Sequence, residues 1–389
     1  MEAVELGTIL QMDKGKTPVT QSMEAKAGYM PYVDIEAFET GVVKQYTSGE
    51  KCVPCKEGDV LIVCDGSRSG LVGKAIDGYV GSTLAKISAE GVDNQYLYYF
   101  LQGKYTLLNT RKKGTGTPHL KPELLKAQKL FVPDYPEQRR IVSRIEELLS
   151  QLDSGVETLN TVKRQLATYR QAILKDAFDH AMSDCEMLPI AELLTKDRKG
   201  MSTGPFGTMI KKADHKSSGV PMLGIENIGK GQFIDGNKIF VTESKSEELK
   251  SFKLKSGDII ISRSGTVGEL CAVPKRMEGA LLSTNLMRVS LDSSMILTDY
   301  FIYLFQSKGV VLDQVKELCK GSTRDFLNQG ILKRIVFPVP SVQRQAEIVA
   351  LIEARLSVCD NIEQTVNAAL RQSEAMRQSI LKQAFEGGV

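Results

Sequence analysis

The chain is written twice. Residues 114–178 can be laid over residues 321–385 at one constant offset of 207 and without a gap, from Gly114/Gly321 to Phe178/Phe385. Identities on that register include Pro133/Pro340, Gln138/Gln345, Ile145/Ile352, Asp153/Asp360, Arg170/Arg377, Gln171/Gln378 and Lys175/Lys382. Solenoid units repeat every ~20–50 residues, so a period this long is a whole domain with its connector. Whatever the chain does, it does in two places.

The most regular part of the repeat reads as helix. After Pro136, apolar residues fall at Ile141, Ile145, Leu148, Leu152, Val156, Leu159, Val162, Leu166, Tyr169, Ile173 and Ala177. The second copy shows Ile348, Ile352, Leu356, Cys359, Ile362, Val366, Ala369, Ser373, Met376, Ile380 and Ala384, again at steps of three and four. Such spacing over about six heptads marks a coiled-coil seam. Each helix is expected to hold about 40 residues and to run ~60 Å at ~1.5 Å per residue. A single-striped helix needs a partner, and each copy is the other's. Antiparallel pairing is expected, since it holds the two globular copies apart.

The segments ahead of the helices combine glycine-rich turns with short β-branched runs (Asp59 to Val63, Asp258 to Ile261), the pattern of mixed α/β domains. Gly58-Asp59 matches Gly257-Asp258, and Ser67-Arg68-Ser69-Gly70 matches Ser262-Arg263-Ser264-Gly265. Val72-Gly73 pairs with Val267-Gly268, and Pro31 with Pro221. The offset drifts from 184 at Leu6/Ile190 to 207 at Gly114, so insertions accumulated in the globular parts while the helices stayed in step. The expected fold class is α/β (α+β): two mixed α/β domains, 1–135 and 180–340, and two long helices, 136–179 and 341–386, forming an antiparallel coiled coil with an internal pseudo-two-fold repeat.

Composition narrows the function. A length of 389 residues with 42% hydrophobic residues supports two or three ordinary cores. The N-terminus lacks a basic-then-apolar signal and no apolar run approaches ~18 residues, so a cytoplasmic protein without a membrane partner is expected. Seven cysteines without framework spacing suit a reducing compartment. A net charge of +3 neither demands nor excludes nucleic acid. Chemistry is scarce. The three histidines (His119, His180, His215) fit no metal pattern, Gly70 to Lys74 has the wrong spacing for a phosphate loop, and no Gly-x-Ser-x-Gly elbow occurs. Cys52-Val53-Pro54-Cys55 is half a zinc site with no second pair at hand. No catalytic or metal-binding residue is therefore assigned.

The repeated loops suit a polyanion. In Ser67, Arg68 and Ser69, and again in Arg263 and Ser264, an arginine able to pair with guanine or phosphate stands among small residues that admit a close backbone. A second loop brings Arg111, Lys112, Lys113, Thr115 and Thr117, and its copy Lys320, Ser322, Thr323 and Arg324. Cations, glycine and hydroxyls in one loop make a phosphate cradle. The opening segments add Lys14, Lys16 and Thr17, and Lys199, Ser202 and Thr203. For each loop alone the competing reading is a solvated basic turn; three in each copy favour a polyanion.

Taken together, these residues resemble the specificity subunit of type I restriction–modification systems. The marks are Gly-Asp, an apolar strand and Ser-Arg-Ser-Gly; Gly-Ser-Thr and then Phe-Pro-x-Pro between Gly321 and Pro340; and Gln343 to Val349 opening the second helix, echoed by Glu137 to Val142. The resemblance spans the whole chain. It implies two target recognition domains, each reading one half of a split, asymmetric site on double-stranded DNA, with half-sites one or two turns apart at ~34 Å per turn. It also implies two docked methyltransferase subunits and, through them, restriction/translocase subunits. No cofactor is then expected on this chain; S-adenosylmethionine, ATP and magnesium would belong to the partners. The docking surface is placed on Arg170, Gln171, Lys175, Arg377, Gln378 and Lys382, identical between copies although they lie off the seam. The rivals are a structural adaptor without specificity and a metal-dependent nuclease built from scattered acidic residues.

Overall fold

The computed structural model describes residues 3–109, 118–179, 185–229, 231–307, 309–319 and 327–386. The chain divides into two compact units: Met1–Asn160 together with Asn367–Val389, and Thr161–Val366. Both divisions fall inside the long helices, Tyr135–Asp179 and Val342–Glu386, each of 45 residues. The two ends of each helix bury apolar side chains in different cores, so each unit takes in one end of each helix.

The first unit is built on a four-stranded antiparallel sheet, ordered Leu10–Lys14, Leu84–Ala89, Val60–Val63, Val72–Lys74. The central strand is buried at every residue because it is covered on both faces. Val60 and Ile62 pack with Tyr96, Phe100 and the long helices. Leu61 and Val63 pack with Val33 and Val80 of a second small sheet, in which Met30–Val33 runs parallel to Gly78–Val80. The second unit repeats the plan. Met201–Thr203, Leu286–Val289, Ile259–Ser262 and Leu270–Ala272 form the same antiparallel order, and Val220–Leu223 runs parallel to Leu281–Leu282.

The Gly-Asp motif has a conformational reason. Gly58 and Gly257 take φ values of 85° and 83°, open to glycine at little cost. The following carboxylate accepts the Lys56 N–H at 2.9 Å in one unit and the Lys255 N–H at 2.7 Å in the other, closing the turn into the central strand.

Within the second unit the helices run antiparallel: Arg170 reaches Asp360 and Glu363, and Asp176, further along, reaches back to Arg355. In the first unit Arg377 pairs with Asp153, and beyond it Leu381 and Ala384 share a core with Ile141 and Ile145. Not all of the anticipated stripe is seam. Tyr169, Ile362 and Met376 are exposed, while the neighbouring Leu149 and Leu174 are buried. A helix of 3.6 residues per turn drifts from a strict heptad, and the buried stripe moves with it.

The junction of helix and globular part is the same in both units. Gln138 is fully buried; its Oε1 accepts the Asp93 N–H at 2.7 Å and its Nε2 donates to the Gly91 and Pro133 carbonyls, both at 2.8 Å. Gln345 does likewise with the Leu297 N–H (2.8 Å) and the Met295 and Pro340 carbonyls (both 2.9 Å). Beside it, Tyr96 donates to the Phe131 carbonyl and Tyr300 to the Pro338 carbonyl. Tyr96 meets Phe385 edge-on at 4.9 Å between ring centroids, and Tyr300 meets Phe178 at 5.5 Å.

Candidate nucleic-acid interface

At one edge of each four-stranded sheet, the loop after the central strand meets two other segments. In the first unit this loop is residues 64–71. Asn109 donates from Nδ2 to the carbonyls of Ser67 (3.1 Å) and Ser69 (2.9 Å). The Gly66 N–H donates to the Pro118 carbonyl and the Leu120 N–H to the Cys64 carbonyl. Residues on both sides of the basic stretch 110–117 are thus fastened to the arginine loop. In the second unit the Leu327 N–H donates to the Arg263 carbonyl at 3.0 Å, bringing the residue that follows 320–326 to the corresponding place. The basic-loop candidates themselves (Arg111, Lys112, Lys113, Thr115, Thr117, Lys320, Ser322, Thr323, Arg324) lie outside the described residues.

The ladder register corrects the pairing of the two arginines. Ile62 faces Val72 and Ile261 faces Leu270, so Val72 corresponds to Leu270 rather than to Val267. Cys64 receives Leu120 as Arg263 receives Leu327, so Arg263 occupies the place of Cys64, not that of Arg68. Serine- and glycine-rich turns align at several offsets with equal ease; strand pairing admits only one.

The two arginines accordingly have different surroundings. Arg68 is 52% exposed and paired with Glu39, at the end of the helix Ile35–Thr40. Arg263 is half-buried, donating from Nε to the Leu327 carbonyl and from Nη1 to the Thr284 carbonyl, both at 3.3 Å. Burial lowers its pKa from the ordinary arginine value. Its hydrogen bonds tie three segments together. Ser264 is half-buried, and its carbonyl accepts the Ser262 hydroxyl at 3.1 Å.

The opening segments also fall into place. Lys14 faces Ala85 and Thr203 faces Met287 across equivalent strands, so Lys14 corresponds to Thr203 and Gly15 to Gly204. The Gly15 N–H donates to the Leu84 carbonyl (2.9 Å), and the Gly204 N–H to that of Leu286 (3.1 Å). Lys16 and Thr17 are exposed, as is the side chain of Lys199, whose carbonyl accepts from the buried Arg288. Two expected contacts are placed inside the fold: Ser69 is 2% exposed and Ser202 is 6% exposed.

A cluster that sequence reasoning missed sits at the first unit's edge. Asp65 accepts from Lys14 Nζ at 2.9 Å and lies 2.6 Å from His119 Nδ1. Burial pushes the Asp65 carboxyl up, but the hydrogen bonds from His119 and Lys14 outweigh it and leave the group below the ordinary aspartate value. The Asp65 hydrogen bond in turn raises Lys14. The three residues are separated by 51 and 54 positions, and no local pattern connects them. Cys64, next to Asp65, and Cys55 are buried thiols, each pushed up to about 11 by desolvation. Among the described residues no cluster of three or more His, Cys, Asp or Glu could hold a metal ion.

The expected docking residues divide. Arg170 and Arg377 do have a coiled-coil role: Arg170 pairs with Asp360 and Arg377 with Asp153, the same pair seen from each copy under the 207 offset. Their identity is explained by that pairing and needs no partner subunit. Gln171 is half-buried, and Lys175 and Lys382 are exposed. Gln378 and Lys382 line an open cavity of about 470 Å³ in the first unit, with Phe100, Lys104 and Phe385.

Comparison with known proteins bears directly on this arrangement. The family model described as "Type I restriction modification DNA specificity domain" matches residues 1–166 and again 184–372. The MjaVIII type I restriction enzyme specificity subunit of Methanocaldococcus jannaschii is 25% identical, over all of this chain and 92% of its own length. The EcoBI specificity subunit of Escherichia coli is 23% identical over 92% of this chain and 80% of its own. In fold, the chain matches one from a type I restriction–modification system solved for its complex assembly and conformational transition, with a TM-score of 0.74, 18% identity, and coverage of 100% and 98%. It also matches the HsdS subunit of Thermoanaerobacter tengcongensis with a TM-score of 0.52, 19% identity, and coverage of 100% and 97%. With two matches of the family model following the two copies of the repeat, the chain belongs to the type I restriction modification DNA specificity family.

Proposed function

We propose that the chain reads a bipartite, asymmetric site on double-stranded DNA, one half with each unit, as the non-catalytic recognition component of a type I restriction–modification complex. One observation carries this reading: the two units share a backbone frame at the loop edge but place different side chains on it. Lys14, Lys16, Thr17 and Arg68 stand at one edge, and Thr203, Phe206 and Arg263 at the other. A shared frame with unlike side chains suits two readers of unlike sequence, because base edges specify while backbone contacts position. Lys112, Lys113 and Lys320 act through phosphates in this reading. Methyl transfer with S-adenosylmethionine, and ATP- and magnesium-dependent cleavage, reside on partner chains.

The chain recruits two methyltransferase subunits in the same reading, and restriction subunits through them. The exposed Lys175 and Lys382, with Gln378 beside the cavity, provide the docking chemistry. The test is selection from a randomised duplex pool by the full chain with its methyltransferase subunits. Two unlike motifs at a fixed spacing are expected; enrichment of nothing above background leaves the structural-adaptor rival standing. Charge reversal at both Lys175 and Lys382 should lower methyltransferase stoichiometry in native mass spectrometry, and two subunits retained at wild-type affinity would move docking elsewhere.

A further inference from the structure

The second unit carries one large side chain with no place in its fold. Phe206 is 66% exposed, while the backbone on either side of it is constrained. Just before it, Gly204 lies so close to the neighbouring turn that an added Cβ would stand 1.9 Å from the Ser283 carbonyl oxygen. Just after it, Gly207 takes φ 63° and opens a short 3-10 turn, Gly207–Met209, in which the Met209 N–H donates to the Phe206 carbonyl. The ring is therefore presented on a braced tip. Exposing a phenylalanine forgoes the stabilisation of burying it, and nothing in the described residues of this unit covers it.

Its surroundings select the occupant. Gly204 packs on Ser283, and the next residue, Thr284, accepts from Arg263, so Phe206 and Arg263 flank one turn. Exposed Lys211 and Lys212 follow within six residues, and Met209 is exposed between. An aromatic among cations suits nucleic acid, where rings stack on bases and apolar wedges enter base steps. The first unit sharpens the point. Gly15 approaches the Gly81 carbonyl as closely as Gly204 approaches that of Ser283, and the two exposed residues after Gly15 are Lys16 and Thr17, where the second unit has Pro205 and Phe206. The frame is kept and the tip is exchanged for different chemistry.

We infer that Phe206 is a specificity-determining contact of the second unit, stacking on or wedging into one base step of its half-site. This rests on the proposed reading of DNA and assigns a residue to it. The experiment uses the full chain with its methyltransferase subunits and a duplex carrying the motif selected from the randomised pool, with 2-aminopurine scanned through both half-sites. Wild type should raise fluorescence at one step in one half-site only. Phe206→Ala, with an unchanged melting temperature, should abolish that signal and weaken specific binding about tenfold, leaving affinity for random duplex unchanged; Phe206→Trp should restore binding. Wild-type affinity and selectivity in Phe206→Ala would overturn the inference. Loss of methyltransferase subunits with DNA selectivity intact would also overturn it, making the ring a protein contact. A wild-type complex that selects no motif would sink the proposed function itself, a distinct outcome.

Discussion

The helix junctions and the loop edges have had different histories within one duplication. At the junctions, Gln138 and Gln345 make the same three hydrogen bonds, Tyr96 and Tyr300 the same one, and Phe385 and Phe178 fill the same aromatic contact. At the edges, the arginines do not occupy the same place, the Asp65 cluster belongs to the first unit, and Lys16-Thr17 of one unit corresponds to Pro205-Phe206 of the other. A buried amide with every polar atom paired admits few substitutes, because any change leaves buried backbone groups without partners. A turn facing solvent, braced by its own glycines, tolerates exchange. The difference separates what holds each unit to its helix ends from what each unit recognises.

The comparison breaks most readily at the junctions. Gln138→Leu and Gln345→Leu should each cost about 2–4 kcal/mol, since each strands one buried N–H and two buried carbonyls. Melting experiments should find the two losses similar; a large loss at one and none at the other would end the equivalence. Next come the arginines. Arg263→Ala should cost about 1–2 kcal/mol in stability by releasing Thr284 and Leu327, and should disturb one half-site. Arg68→Ala should change stability by less than about 1 kcal/mol, its pair with Glu39 being exposed, so any effect should appear in DNA binding alone. Equal destabilisation would restore the arginines to equivalent places.

A smaller effect concerns pH and the first unit alone. Asp65 has a folded-state pKa below its ordinary value of 3.8, so it contributes stability above that value and loses it as pH falls through the lower, folded one. The melting-temperature gap between wild type and Asp65→Asn should be full at neutral pH and shrink below about 4. A gap independent of pH would mean that the ion pairs with Lys14 and His119 contribute nothing. The smallest effect belongs to the interhelical pairs. Arg170→Ala and Arg377→Ala should each cost roughly 0.5 kcal/mol, less at high salt, as partly exposed ion pairs do. A loss of methyltransferase binding from either would return these arginines to the docking surface.

The helices were legible because their signal is local and repeated: steps of three and four run from Ile141 to Ala177, and the copy shows such steps again from Ile348 to Ala384. Gln138/Gln345 was visible as an identity, but its role was not, since two of its three partners in each unit lie 45 to 50 residues away. The interhelical role of Arg170 and Arg377 was hidden for the same reason: Asp360 and Asp153 are near only once the helices pair. The arginine-loop alignment failed differently. It matched a four-residue turn motif, three of its residues small, where strand pairing sets a different register, and turn chemistry carries no register of its own. Phe206 passed unnoticed because one aromatic between glycines resembles a core residue until its exposure is known.

The central claim is that each unit reads its own half-site. Single-molecule methylome sequencing of a host carrying this gene and its methyltransferase partner tests it most directly, with the wild type compared against Arg263→Ala. A split, non-palindromic motif is expected, of which one half relaxes in the variant while the other half and the spacing stay as they were. A continuous or palindromic motif, or relaxation of both halves together, would contradict it.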